Sequence, residues 1–152
     1  LAVHEPSGAL IQTLADLARP EIKRVALANP AFAPYGAAGK QALERAGLWE
    51  AVKPKVAQAE TVRQALQFVQ SGNAEAGLVG LAIAKGPGVR TIAVDPALYD
   101  PIIQGVGIVA QTKQPREAER FLRFLLGEAG QRILADFGFS PASGPGPDPA
   151  QP

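Results

Sequence analysis

The period of the apolar positions changes several times along this chain, and each change marks an element. Leu1-Ala-Val3 is short and apolar and reads as the end of a strand. Ser7 and Gly8 mark a turn, and residues 9–18 carry a weak helical pattern that Pro20 closes. Residues 22–28 alternate enough for a strand, with Val25, Ala26 and Leu27 as its buried part. A first helix is expected over about 36–46, with Ala38, Ala42 and Leu43 turned inward and Gly47 as its C-terminal stop. Residues 55–59 predict a short strand, and a second helix covers about 61–70. In that helix Val62, Ala65, Leu66 and Val69 fall at i, i+3, i+4 and i+7, which is one face.

Ser71-Gly72-Asn73 ends the second helix, and 76–81 is a continuous apolar run of the kind found inside a parallel sheet. Strand, helix, strand, helix, strand in this order makes two right-handed crossover units, so the fold class is α/β with a parallel-rich sheet. Lys85-Gly-Pro-Gly88 predicts a turn and 89–94 a further strand. The longest β-like run is 102–110, with Gly105 and Gly107 inside it. Pro115–Leu126 and 128–137 then read as a helical hairpin. Its inward sets are Ala118, Phe121, Leu122 and Leu125, followed by Gly130, Ile133, Leu134 and Phe137, with Gly127 and Gly130 breaking the two helices apart. From Ser140 onward, repeated proline and glycine predict a disordered tail. The expected divisions are therefore 1–101, 102–139 and 140–152.

With 152 residues, 47% of them hydrophobic and 19% charged, the chain is long enough for one ordinary domain with a real core. A net charge of +1 with scattered Lys and Arg argues against a nucleic-acid surface. The chain has no cysteine and a single histidine, His4, which removes disulfides and the usual zinc sites. No apolar run reaches the roughly 20 residues of a membrane span. There is no secretory leader and no methionine, and Leu1 comes first, so a processed product or a fragment is expected.

The chemistry centres on Ala28-Asn-Pro-Ala-Phe-Ala-Pro-Tyr-Gly36, which joins a strand to a helix with almost no charge. The second helix opens at Glu60-Thr-Val-Arg-Gln-Ala-Leu66, again directly after a strand. Two helix starts without an evident cap, at one sheet edge, hold free N–H groups that bind anions through dipoles. Gly36-Ala-Ala-Gly39-Lys40 is no phosphate loop, because Pro34 stands where glycine is needed and Gln41 where Ser or Thr is needed. Gly105-Val-Gly107-Ile-Val-Ala110 matches a dinucleotide fingerprint in form, but no helix opens after it; glycines that let a strand bend or be closely approached explain it better. Asp95 and Asp100 suit a solvated turn, Glu60 complements a helix dipole, and His4 has no acid or nucleophile beside it. No enzyme and no cofactor are expected. Tyr35 is either a surface aromatic packed on its loop or a donor, through its hydroxyl or N–H, to a bound anion. Val62 would offer only its backbone N–H, its side chain being core.

Several ordered segments carry a resemblance: Val25-Ala-Leu-Ala-Asn-Pro30, Ala33-Pro-Tyr-Gly36, Lys40-Gln-Ala-Leu43, Gly47-Leu-Trp49 and Lys53-Pro-Lys55. Ala59-Glu-Thr-Val-Arg-Gln-Ala-Leu66, Ser71-Gly-Asn-Ala-Glu-Ala-Gly-Leu-Val79 and Phe137-Gly-Phe139 continue it to about Ala142. Together they resemble the periplasmic molybdate-binding proteins of ABC transporters. The resemblance implies a two-lobed periplasmic binding protein of the type II class, here one complete lobe plus part of the second. It implies molybdate or tungstate, held by neutral donors and delivered to an ABC transporter membrane permease. Tyr35 and Val62 match the family's donating helix starts, and Pro34, Gly36, Thr61 and Gly80 are expected to line the pocket. By the same pattern the chain is N-terminally incomplete, lacking the hydroxyl-bearing loops of the other lobe. Gly80 stands where many relatives place a tyrosine, and the Tyr35 hydroxyl is the expected substitute. Phe121, Leu125, Ile133 and Phe137 would then be uncovered, so a chain-exchanged homo-oligomer is expected. Two other classes stay open: an effector-sensing domain of a transcription regulator, and a non-binding fragment or interaction module.

Overall fold

The computed structural model describes residues 1–84 and 86–141; the predicted tail falls mostly outside the described residues. Its sheet is built from β1 (Ala2–His4), β2 (Val25–Ala28), β3 (Val56–Ala59), β4 (Ala76–Leu78) and β5 (Val89–Thr91). The strand order is β3-β2-β4-β1-β5. β2 is parallel to both neighbours, pairing Val25 with Val56 and Ala28 with Ala59 on one side, and Leu27 with Leu78 on the other. β1 is antiparallel to β4 and β5 and joins them.

Side chains alternate across this sheet and feed two cores. Val3, Val25, Leu27 and Leu78 point to one face, where Leu43 and Val52 meet them from α1 (Pro34–Arg45) and α2 (Trp49–Val52). Ala2 and Ala26 point to the other, under Ala65, Leu66 and Val69 of α3 (Val62–Gln70). The large strand residues face α1, and the small ones let α3 come close: a Cβ on Gly77 would stand 2.9 Å from Cγ2 of Val69. Each of the fully buried leucines contributes about 1.5–3 kcal/mol by leaving water.

The helix expected over 9–18 is reduced to a 3-10 turn at Leu14–Ala18, with another before it at Glu5–Ser7. The N–H groups of Gln12 and Thr13 and the Thr13 hydroxyl all donate to Oδ2 of Asp16 at 2.9–3.0 Å, which starts a new turn. Carbonyls that a helix would use go to cations instead. Arg90 takes those of Gly8 and Ile11, while Lys55 takes the carbonyls of Leu17, Ala18 and Arg19, which a helix ending at 18 would leave free. β4 stops at Leu78 and β5 at Thr91, both short of the apolar runs that predicted them.

The chain divides into two compact units, Leu1–Ile103 and Gln104–Pro152. The second holds α4 (Pro115–Leu126) and α5 (Glu128–Asp136). Gly127 separates the two helices, but Gly130 lies within α5 and is buried. A Cβ there would meet the carbonyl oxygen of Phe124 at 2.3 Å, so glycine permits the close turn between helices. The strand expected over 102–110 does not form among the described residues. Apolar sequence makes a strand only where a neighbour completes its ladder, and nothing lies within 4 Å of a Cβ built on Gly105 or Gly107. No helix among the described residues is long and apolar enough to cross a membrane.

Candidate functional site

The candidate site lies where the parallel strands end. Asn29, immediately after β2, donates its N–H to the Ala59 carbonyl at 2.8 Å and so ties the ends of β2 and β3 together. Its Oδ1 accepts from the Ala31 N–H at 3.0 Å, and its carbonyl accepts from Phe32 and Ala33. This closed turn delivers the chain to Pro34, whose fixed φ and missing N–H suit the first position of α1. Ala33 supplies no side-chain cap, and the N–H groups of Tyr35 and Gly36 have no partner among the described residues. A Cβ on Gly36 would lie 2.1 Å from the Ala28 carbonyl oxygen, so the helix start is pressed against the end of β2.

The start of α3 differs from expectation. Thr61 is an N-cap whose Oγ1 accepts from the Gln64 N–H at 3.1 Å, while Oε1 of Gln64 accepts from the Glu60 N–H at 2.7 Å. This is close to a capping box. The N–H groups of Val62 and Arg63 remain without a partner among the described residues. Val62 is only half-buried and belongs to neither core, contrary to the reading from helical period. As the first residue of α3 it stands beyond the end of β3, where the sheet no longer covers it.

A cavity of about 170 Å³ opens between α1 and the residues after β4 and β5. Tyr35, Gly39, Gly80, Thr91 and Tyr99 line it with aliphatic neighbours and no charged side chain. Leu1, also at this wall, donates from its backbone nitrogen to the Ile92 carbonyl at 2.8 Å. Both tyrosines of the chain are here. Thr91 spends its hydroxyl on the Ala84 carbonyl at 2.9 Å, whereas neither tyrosine hydroxyl has a partner among the described residues. Tyr99 was not singled out by sequence, since a loop residue carries no periodic signal. Its loop is tied to α1 by Asp100, which accepts from Gln41 at 2.8 Å and Arg45 at 2.6 Å. Those two partners, Gln41 first, hold the Asp100 carboxyl below its usual range.

Of the residues expected at the site, Tyr35 and Gly80 share this cavity. Gly36 lies behind Tyr35 against the strand, and Pro34 lines a separate shallow cleft of about 590 Å³ with Pro30, Gln41 and Asp100. Thr61 and Val62 line neither cavity, although β2–β3 pairing puts them at the same sheet edge. His4 sits at the opposite edge, where its N–H donates to the Glu75 carbonyl. Among the described residues no His, Cys, Asp and Glu cluster could hold a metal.

The sequence model of the family described as bacterial extracellular solute-binding protein matches residues 1–140. The chain belongs to that family. Solute-binding proteins of this kind are binders and not enzymes. The chain is 36% identical over 121 residues to the molybdate-binding protein ModA of Azotobacter vinelandii, covering 77% of this chain and 48% of the relative. It is 33% identical over 118 residues to the ModA of Haemophilus influenzae, covering 76% and 46%. The chain therefore spans about half the length of the curated relatives it matches. Among solved structures it is similar to the periplasmic molybdate-binding protein of Azotobacter vinelandii, with a TM-score of 0.78 and 28% identity over 93% of this chain and 64% of that one. The α/β class read from the sequence, with its periplasmic-binding-protein likeness, is thus the fold of this solute-binding family member.

Proposed function

We propose that this chain binds a tetrahedral oxyanion, molybdate or tungstate, in the periplasm and serves its delivery to the membrane permease of an ABC transporter. One observation carries the reading. The first turn of α1 opens with unpartnered N–H groups on Tyr35 and Gly36, at the sheet edge where α3 offers those of Val62 and Arg63. The names of the ModA relatives support it.

A dianion taken out of water needs several donors at once, because each unpaired oxygen costs free energy. Helix-start amides supply them as fixed dipoles with no counter-charge, and bonds to a charged acceptor are the stronger kind. The Thr61–Gln64 cap removes two N–H groups from this role and leaves Val62 and Arg63 as the donors of α3. In this reading residues 1–101 form the oxyanion-binding lobe and 102–139 belong to the other lobe. A second copy, exchanging elements, covers the apolar residues of α4 and α5.

Titration calorimetry of the full chain with molybdate, tungstate and sulfate tests the proposal. Molybdate and tungstate are expected to bind alike and sulfate more weakly, since a smaller anion leaves donors unmet. No heat with any of the three overturns the reading.

A further inference from the structure

Phe32 is 85% exposed and belongs to neither core, although an aromatic ring removes about 150–250 Å² from water when it packs. Its backbone is nonetheless fixed. The Phe32 and Ala33 N–H groups both donate to the Asn29 carbonyl, at 3.1 and 2.9 Å, and the Ala31 N–H donates to Oδ1 of Asn29 at 3.0 Å. Pro30 and Pro34 set φ on either side, and the Asn29 N–H ties the turn to the end of β3 at 2.8 Å. No charged side chain occurs from Val25 to Gly39, and Ala31, Pro34 and Ala37 are exposed in the same stretch. Charges return at Lys40 and Glu44 further along α1, and at Glu60 and Arg63 around the start of α3. Alongside runs the shallow cleft that Pro30, Pro34 and Ala37 line together with Lys40, Glu44 and Asp100. An uncharged aromatic centre with a polar rim is the anatomy of a protein-docking surface.

We propose that Phe32 is the anchor by which this chain docks on the periplasmic face of its membrane permease, its ring entering an apolar pocket of that partner. Position decides the occupant. Phe32 stands three residues before Tyr35, so a partner seated on the ring also reaches the helix-start amides and receives a solute released there. A second copy fits less well, because a two-fold contact sets the same patch of both chains face to face and closes both solute mouths. A lipid surface fits less well too, since it is recognised through basic residues that this stretch lacks. The fixed turn loses little freedom on docking, so one ring carries much of the contact free energy. The inference rests on the delivery reading above and adds to it the docking residue and the patch around it.

The test uses the full chain and three variants. Phe32→Ser removes the ring, Phe32→Leu keeps an apolar group, and Leu10→Ser removes a different apolar side chain, 42% exposed, between β1 and β2. The probe is the source organism's molybdate permease with its ATPase subunits in lipid nanodiscs. Surface plasmon resonance reads docking, and calorimetry reads molybdate binding. Phe32→Ser is expected to weaken docking at least about tenfold, Phe32→Leu to weaken it less, and Leu10→Ser to leave it unchanged. All three should bind molybdate as wild type does. Docking that Phe32→Ser leaves unchanged, or that Leu10→Ser weakens equally, overturns the inference. Molybdate affinity lost together with docking in Phe32→Ser overturns it as well, because the ring then belongs to the solute site. A dimer of the unsubstituted chain that Phe32→Ser alone dissolves in sedimentation overturns it in favour of a second copy. Wild type that binds molybdate but not the permease overturns the docking and leaves the oxyanion reading standing. Wild type that binds no oxyanion overturns both.

Discussion

Leu27 in β2 and Phe121 in α4 are both apolar residues on the face that periodicity turns inward, yet Leu27 is fully buried and Phe121 is 61% exposed. The contrast extends to their surroundings. Leu27 has Leu43 of α1 and Leu78 of β4 in its cluster, within a sheet covered on both faces. Around Phe121, Ile133 is 50% and Phe137 54% exposed, and Gly130 is the one buried residue of the described α4 and α5. Those helices carry exposed ion pairs such as Glu119–Arg123 at 3.5 Å and Glu128–Arg132 at 3.4 Å, each worth about 0.3–0.5 kcal/mol at most. A helical period thus states which face is apolar, and leaves open what covers it.

The largest effect separates the two regions directly. Leu27→Ala should cost about 2–5 kcal/mol through lost burial and a cavity, read as a lower urea midpoint. Phe121→Ser should change the unfolding free energy by no more than about 0.5 kcal/mol while reducing self-association in light scattering. Equal destabilisation by the two substitutions, or a clean monomer in the unsubstituted chain, breaks the contrast and the proposed exchange between copies. A middle-sized effect falls on the start of α3, which Thr61 caps: Thr61→Ala should cost about 1 kcal/mol, seen in thermal unfolding. The α1 start has no side-chain cap to lose, so Ala33→Ser should not destabilise it by a comparable amount.

The smallest effect concerns pH. Asp100 is held below its ordinary pKa by Gln41 and Arg45, so it favours the folded state above the ordinary carboxylate value. That contribution fades as pH falls through the lowered folded value. Asp100→Asn should therefore flatten the acid limb of the first unit's stability curve and leave its neutral-to-alkaline shape unaltered; an unchanged acid limb refutes the clasp.

The sequence was legible where one local rule decided the outcome. The apolar quartet Val25–Ala28 and the face of Ala65, Leu66 and Val69 became the sheet and a covering helix as read. It was misleading where distant groups intervened. Arg90 draws off carbonyls of Gly8 and Ile11 that a helix over 9–18 would need, and no local pattern announces a cation reaching from β5. The Thr61 cap was legible in principle, since Gln64 stands three residues on, but the apolar face of α3 drew the reading toward Val62 as core. At the candidate site Tyr35 was found from its position between Pro34 and Gly36. The loop that brings Tyr99 to the same cavity depends on an Asp100–Arg45 pair far apart in sequence.

The close seating of Gly36 on the Ala28 carbonyl has a thermodynamic consequence. An aperture bolted to the sheet is preorganised, so a guest entering it spends little free energy on immobilising the protein. The absent methyl group at position 36 is what lets the start of α1 sit this close to the end of β2. Low ordering entropy at the start of α1 then follows from that missing methyl group.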